Sequence, residues 1–159
     1  MKHETSTIKA EMRKTIFAAE EHLAITINDE LLDVFIDEFY PDEEYLGLIP
    51  TYLPAFDNED EYDLVMERAV PKEGKTTLLP ILMCPEDLDL VCTVIIAQAK
   101  TQGDYIIWER LGVDKSEPNN HLQSVGTQVQ WLTHINKPLY FKKSEYIECL
   151  NEFKKLAEL

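Results

Sequence analysis

The sequence is poorest in positive charge: from Thr15 to Glu67, 53 residues, it contains no lysine or arginine. That interval still holds 16 of the 30 acids, while the rest of the chain carries 14 acids and 15 basic residues. One contiguous third therefore supplies the net charge of −15. Such a balance excludes ordinary nucleic-acid binding, which needs Lys and Arg to neutralise phosphates, and disfavours anionic membrane surfaces. Partners selected by charge are expected to be basic. Long apolar runs are also missing. No span approaches the ~20 apolar residues of a transmembrane helix, and the start, "MKHETSTIKAEMRK", has no apolar core of the kind a signal peptide needs. Three cysteines, Cys84, Cys92 and Cys149, follow no recognisable spacing and read as reduced, mostly buried thiols of a cytoplasmic protein.

Catalytic signatures are equally scarce. There is no Gly-x-Ser-x-Gly, no Cys-x-x-Cys and no His-Glu-x-x-His, and His3, His22, His121 and His134 are scattered. "AVPKEGKT", Ala69 to Thr76, fits a relaxed phosphate-loop pattern, but such a loop joins a strand to a helix. Here an acidic helix is expected before it and "TTLLP" follows, so it reads as a turn into a strand. Asp57 to Asp63 lacks the glycine and ligand spacing of a calcium loop. Cys92 falls in the most apolar segment, where a thiol stays protonated, and Cys84 beside Pro85 reads as packing. No catalytic residue, metal site or cofactor is assigned, and the chain is not read as an enzyme.

At 159 residues and 45% hydrophobic, residues 1–159 read as one domain. Ile8, Met12, Ile16, Ala19 and Leu23 recur at helical spacing and predict a helix from about Thr7 to Leu23. Asn28 is placed to cap a second, with Leu31, Leu32, Phe35, Ile36 and Phe39 apolar and Pro41 ending it. A third is predicted from Asn58 to about Arg68, making residues 1–70 an acidic helical part. From 76 to 142 the pattern becomes β: "TTLLPILMC" with Pro80 at an edge or bulge, "LDLVCTVIIAQA", a "KTQGD" hairpin turn, "YIIWERLG", "VGTQVQWL" and "PLYF". Trp108 and Arg110 are expected on one strand face, Trp108 as a core anchor and Arg110 paired with a neighbouring acid. Ser144 is expected to cap a final helix over 144–158 carrying Tyr146, Leu150, Phe153 and Ala157 as a stripe. The fold class expected is α+β, N-terminal helices packed with an antiparallel β-meander and a C-terminal helix.

Function is sought in the acidic block. "YPDEEYLGLIPTYLPAFDNEDEYD", Tyr40 to Asp63, holds eight acids and five aromatics. A solvated face that keeps the protein dispersed would account for the charge. Clustering without interleaved basic residues, among rings, argues for a partner-binding surface, since aromatics anchor interfaces and carboxylates steer basic partners. The candidate contacts are Asp33 and Asp37 on the second helix, then Asp42, Glu43, Glu44, Tyr45 and Tyr52. Asp57, Glu59, Asp60, Glu61, Tyr62 and Asp63 complete the set.

A resemblance points the same way. "LLPILMCPEDLDLVCTVIIAQAKTQGDYIIWERLGVD" with "VGTQVQWL" and "FKKSEYIECLNEF", roughly residues 76–153, resembles small bacterial immunity proteins of polymorphic-toxin and contact-dependent growth-inhibition systems. It rests on a strand pair ending in Trp-x-Arg-x-Gly, a Val-Gly strand ending in Trp and a closing helix. The resemblance implies a cytosolic non-enzyme that binds and blocks a toxin domain, often a basic nuclease, and carries over no particular residue. The alternatives are an acidic adaptor or nucleic-acid mimic binding another basic protein, and a small enzyme with an unrecognised site. Whether the chain is a monomer or homodimer is not legible.

Overall fold

The computed structural model describes residues 4–16, 20–54, 59–85, 90, 93–116 and 122–158. Its elements are β1 (Ile8–Arg13), β2 (His22–Ile27), β3 (Glu30–Leu31), α1 (Leu32–Phe39), β4 (Ile49–Pro50) and α2 (Glu59–Ala69). They continue with β5 (Thr76–Met83), β6 (Ile95–Gln102), β7 (Tyr105–Asp114), β8 (Val129–Trp131), β9 (Leu139–Lys142) and α3 (Lys143–Ala157). Among the described residues these are nine strands in two antiparallel sheets and three helices, so the molecule is mostly β. The expected α+β arrangement with N-terminal helices is incorrect.

The error begins at the first predicted helix, where β1 and β2 pair instead, Ile8 opposite Ile27 and Met12 opposite Leu23. A spacing of four suits both a helix and a strand. The discriminating residues are Ala10, which completes a period-two run against Lys9, Glu11 and Arg13, and the β-branched Ile25, Thr26 and Ile27. Met12 and Ile16, expected inside, are exposed. Asn28 does not cap a helix. Asn28 and Asp29 have φ of 51° and 69° and form the two-residue turn between β2 and β3, a conformation these residue types tolerate. Asn28 Oδ1 also accepts the Thr7 N–H at 2.9 Å, fixing the start of β1. The helix begins only at Leu32 and is eight residues long.

The larger sheet runs β4-β5-β6-β7-β8, with β9 pairing the first half of β7 and β8 the second. Pro80 sits at a register shift against β6, so β5 accommodates it by a bulge in the sheet interior. Gly103 (φ 59°) makes the β6–β7 turn. A second irregularity sets Leu111 opposite Ala97 and Trp108 opposite Ala99, leaving Glu109 and Arg110 together against Gln98. Trp108 and Arg110 therefore part company: Trp108 is buried, while Arg110 is exposed. Arg110 Nε donates to Gln98 Oε1 at 2.8 Å and its guanidinium lies 3.8 Å from the Trp131 ring centroid. It stacks on a ring rather than pairing with an acid.

α3 closes the core, burying Tyr146, Cys149, Leu150 and Phe153 against β1, β7 and β9. Its N-cap is Lys142, without a side-chain cap bond, so Ser144 lies within the first turn, and Ala157 is exposed. The N-terminal segment joins the two sheets, because the Ser6 N–H donates to the Tyr140 carbonyl at 2.8 Å beside a Thr5–Tyr140 bridge. α2 ends where expected, and Arg68 turns back to donate to the carbonyls of Leu78 (2.9 Å), Val125 (2.6 Å) and Gln123 (3.3 Å). "AVPKEGKT" connects α2 to β5, a helix to a strand, the reverse of a phosphate loop. Cys149 is a free buried thiol, but Cys84 is disulfide-bonded, which corrects the reading of three reduced cysteines. Cys92 lies outside the described residues. No helix among the described residues is long and apolar enough to cross a membrane.

Candidate protein-binding surface

The acids of the charged third are presented by two supports. α1 packs on β2 and β3 of the small sheet, while α2 packs on β5 of the large one. On α1, Leu32, Asp33 and Ile36 form the buried face. Asp33 is 3% exposed, and its Oδ2 accepts the Gly47 N–H at 2.8 Å. Burial pushes its carboxyl above the usual range, against the opposing pull of that N–H. Asp33 therefore holds the loop after α1 and is corrected from a partner contact to a structural group. Asp37 is half-buried.

Tyr52 is the second correction. It is 0% exposed, its hydroxyl lies 2.6 Å from that of Tyr146, and Tyr146 donates in turn to the Ala69 carbonyl at 2.7 Å. Burial raises both phenols far above their ordinary values. Tyr52 belongs to the core network joining the β4 loop, α2 and α3.

The turn after α1 is different. Asp42, Glu43 and Glu44 are all exposed, and no ion pair among the described residues involves them. They follow a helix whose last turn contains no basic residue, so its negative dipole end adds to their charge. Tyr45 is half-buried, edge-to-face with Tyr40 at 6.2 Å, and burial followed by Glu43 raises its phenol. Tyr40 stacks on His134 (4.8 Å between centroids), and its hydroxyl accepts the His134 N–H at 2.8 Å. The rings are thus braced by a segment almost a hundred residues away.

Glu30 and Glu38 meet on the same helix–strand unit. The Glu38 carboxyl hydrogen-bonded to it, together with desolvation, lifts Glu30 to about 7.

In α2, Glu59, Asp60 and Asp63 are exposed, and Glu61 and Tyr62 half-buried. Burial and then Asp63 raise the Tyr62 phenol. Acids in the first turn of a helix favour its N-terminal dipole, which gives Glu59, Asp60 and Glu61 a structural reason to be there. Asp57 lies outside the described residues.

Sequence reasoning missed the partners of α1. Phe35 and Phe39, Ile135 and Leu139 line a groove of about 320 Å³ with Asn136 and Lys137. The available signal was the breadth of the apolar face on α1, which exceeds what one packing contact can cover. A wider groove of about 980 Å³ runs along α3, where Lys142, Lys143 and Lys155 mix with Glu148 and Glu152. Among the described residues no three His, Cys, Asp or Glu side chains gather as metal ligands. No protein-family model matches the chain, and no curated protein or solved structure matches it significantly.

Proposed function

We propose that this chain is an immunity-type binding protein that neutralises a basic, nuclease-type toxin domain by covering it with an acidic surface. The observation that carries the reading is the exposed Asp42, Glu43 and Glu44 at the negative end of α1, without ion-pair partners among the described residues and beside the braced rings of Tyr40 and Tyr45. Carboxylates of this kind attract the Lys and Arg with which a nuclease holds phosphates, and desolvated rings supply the anchor. Glu59, Asp60 and Asp63 form a second acidic face on α2. The direct experiment is a search of the neighbouring reading frames for a secreted nuclease-type toxin, followed by co-expression of its toxin domain with this chain. Growth rescue by the wild type, lost when Asp42, Glu43 and Glu44 are reversed to Lys, supports the reading. Rescue unaffected by the reversal removes the electrostatic mechanism.

The cytoplasm is the compartment this function calls for. The Cys84 disulfide favours a second reading, an oxidising compartment, because cytosolic thiols are ordinarily kept reduced. Acid-quenched alkylation of intact cells separates them: a cytoplasmic chain yields all three cysteines alkylated, whereas an extracytoplasmic one protects Cys84 until reductant is added.

A further inference from the structure

Sheet edges are where a folded chain still offers backbone hydrogen bonds, and most edges of this molecule are guarded. β3 and β4 are two residues long and β8 is three. On the outer side of β9, the Tyr140 carbonyl accepts the Ser6 N–H. β5 is flanked by β4, lacks an N–H at Pro80 and gives its Leu78 carbonyl to Arg68. β1 is the exception, six residues at the end of the small sheet. The Asn28 N–H donates to the Thr7 carbonyl, so by alternation Lys9, Glu11 and Arg13 also turn their backbone groups toward β2. Ile8, Ala10 and Met12 turn theirs outward, and no other described strand takes them.

The side chains identify what pairs there. Met12 lies on the strand face of Ile8 and Ala10 and is 56% exposed, and Ile16 just beyond is 62% exposed. α3 stands beside the first half of β1, where Ile8, Lys9 and Ala10 line a cavity of about 330 Å³ with Cys149 and three glutamates of that helix. The open length is therefore the second half, and its charges complement themselves. An antiparallel twofold about Met12 sets Glu11 opposite Arg13 of a second copy, twice, and Met12 opposite Met12. Within each chain Glu11 and Arg13 already approach to 3.5 Å, so the four charges alternate in sign. A twofold about Glu11 would oppose Glu11 to Glu11 and Lys9 to Arg13, and one about Arg13 would oppose two arginines. One about Ala10 would drive the second copy against α3. The strand also precedes the acid-rich interval, and around it Lys9, Arg13 and Lys14 outnumber Glu11. The excess of acid that would hold two copies apart is absent from this edge.

We propose that β1 pairs with β1 of a second copy of this chain, antiparallel about Met12, joining two three-stranded sheets into one. Each Met12 exchanges both backbone bonds with its counterpart, and the two exposed thioether side chains cover one another. The contact is short, so the dimer is weak and its population depends on concentration. It does not depend on the acidic-surface reading above.

Sedimentation velocity of the full chain over a concentration series tests the pairing, and a monomer–dimer equilibrium is the expected result. Met12→Pro removes an outward N–H while the bonds to β2 come from the neighbouring residues, so it weakens the dimer about tenfold or more. Glu11→Arg and Arg13→Glu, each alone, oppose like charges across the twofold and weaken it to a similar degree. Mixed in equal amounts, those two variants recover the dimer, and so does the double exchange within one chain. A folding defect cannot produce that recovery. A monomer at every concentration overturns the proposal, as does a dimer that Met12→Pro and both charge reversals leave intact.

Discussion

Replacing Tyr146 by Phe should cost far more stability than replacing Tyr52 by Phe, although both hydroxyls are buried and touch at 2.6 Å. The asymmetry follows from direction. Tyr146 donates its proton to the Ala69 carbonyl at 2.7 Å, so its oxygen accepts from Tyr52. Tyr146→Phe leaves two buried groups without partners, the Tyr52 O–H and the Ala69 carbonyl. At about 1–3 kcal/mol per orphaned group, with partial relaxation, the loss is about 2–4 kcal/mol. Tyr52→Phe leaves the Tyr146–Ala69 bond in place and removes only a donor, about 0.5–1.5 kcal/mol. The double variant orphans only the Ala69 carbonyl, so its loss falls below the sum of the two by about 1 kcal/mol or more. Urea unfolding followed by tryptophan fluorescence measures all three, because Trp108 packs 6.3 Å from the Tyr146 ring. Equal costs for the two single variants, or strict additivity in the double, would refute the relay.

Three further outcomes are expected. Gly112→Ala places a methyl 2.4 Å from Val129 Cγ1 and 2.8 Å from the Gln130 carbonyl, so β8 must move off β7. Its amide protection in hydrogen exchange should collapse while that of β6 persists. Arg68→Met strips donors from the carbonyls of Leu78, Val125 and Gln123. The loss is expected at about 2–3 kcal/mol in the same urea assay, with unchanged stability contradicting the clamp. Glu30 holds its proton to about 7 in the folded chain and to an ordinary 4.5 when unfolded. Its stabilisation is therefore fully present below pH 4.5 and is lost as pH rises through 7. Carboxyl-detected NMR should show the midpoint of Glu30 falling toward 4.5 in Glu38→Gln. A midpoint unmoved by that change would exclude Glu38 as the cause.

How legible the molecule was in its sequence depended on how local the deciding physics is. The β6–β7 hairpin, the bulge at Pro80, α2 and the final helix are each set by neighbouring residues: a turn glycine, a missing N–H, a periodic apolar stripe. The N-terminal half was misread because Ile8 and Met12 satisfy two periods at once, and only the pairing of β1 with β2 selects one. Asn28 carries the same ambiguity, since the residue type that caps helices also tolerates the positive φ of a tight turn. Within the acidic block, the charge of Asp42, Glu43 and Glu44 was legible from composition, and they stand exposed. Asp33 and Tyr52 were not separable from their neighbours, because their burial depends on Gly47 and on Tyr146, 94 positions away. The groove was invisible for the same reason, its second wall being supplied by Ile135 and Leu139.

The central claim, that the acidic end of α1 engages a basic protein, is tested most directly by the dissociation constant for a basic nuclease-type toxin domain as ionic strength is raised. The measurement is made for the wild type and for the triple variant Asp42→Lys, Glu43→Lys, Glu44→Lys. The wild type should weaken by about tenfold or more between roughly 0.05 and 0.5 M salt, as screening shortens the reach of the exposed carboxylates. The variant should bind more weakly at low salt and lose most of that dependence. A constant indifferent to salt and unchanged by the triple reversal would contradict the account.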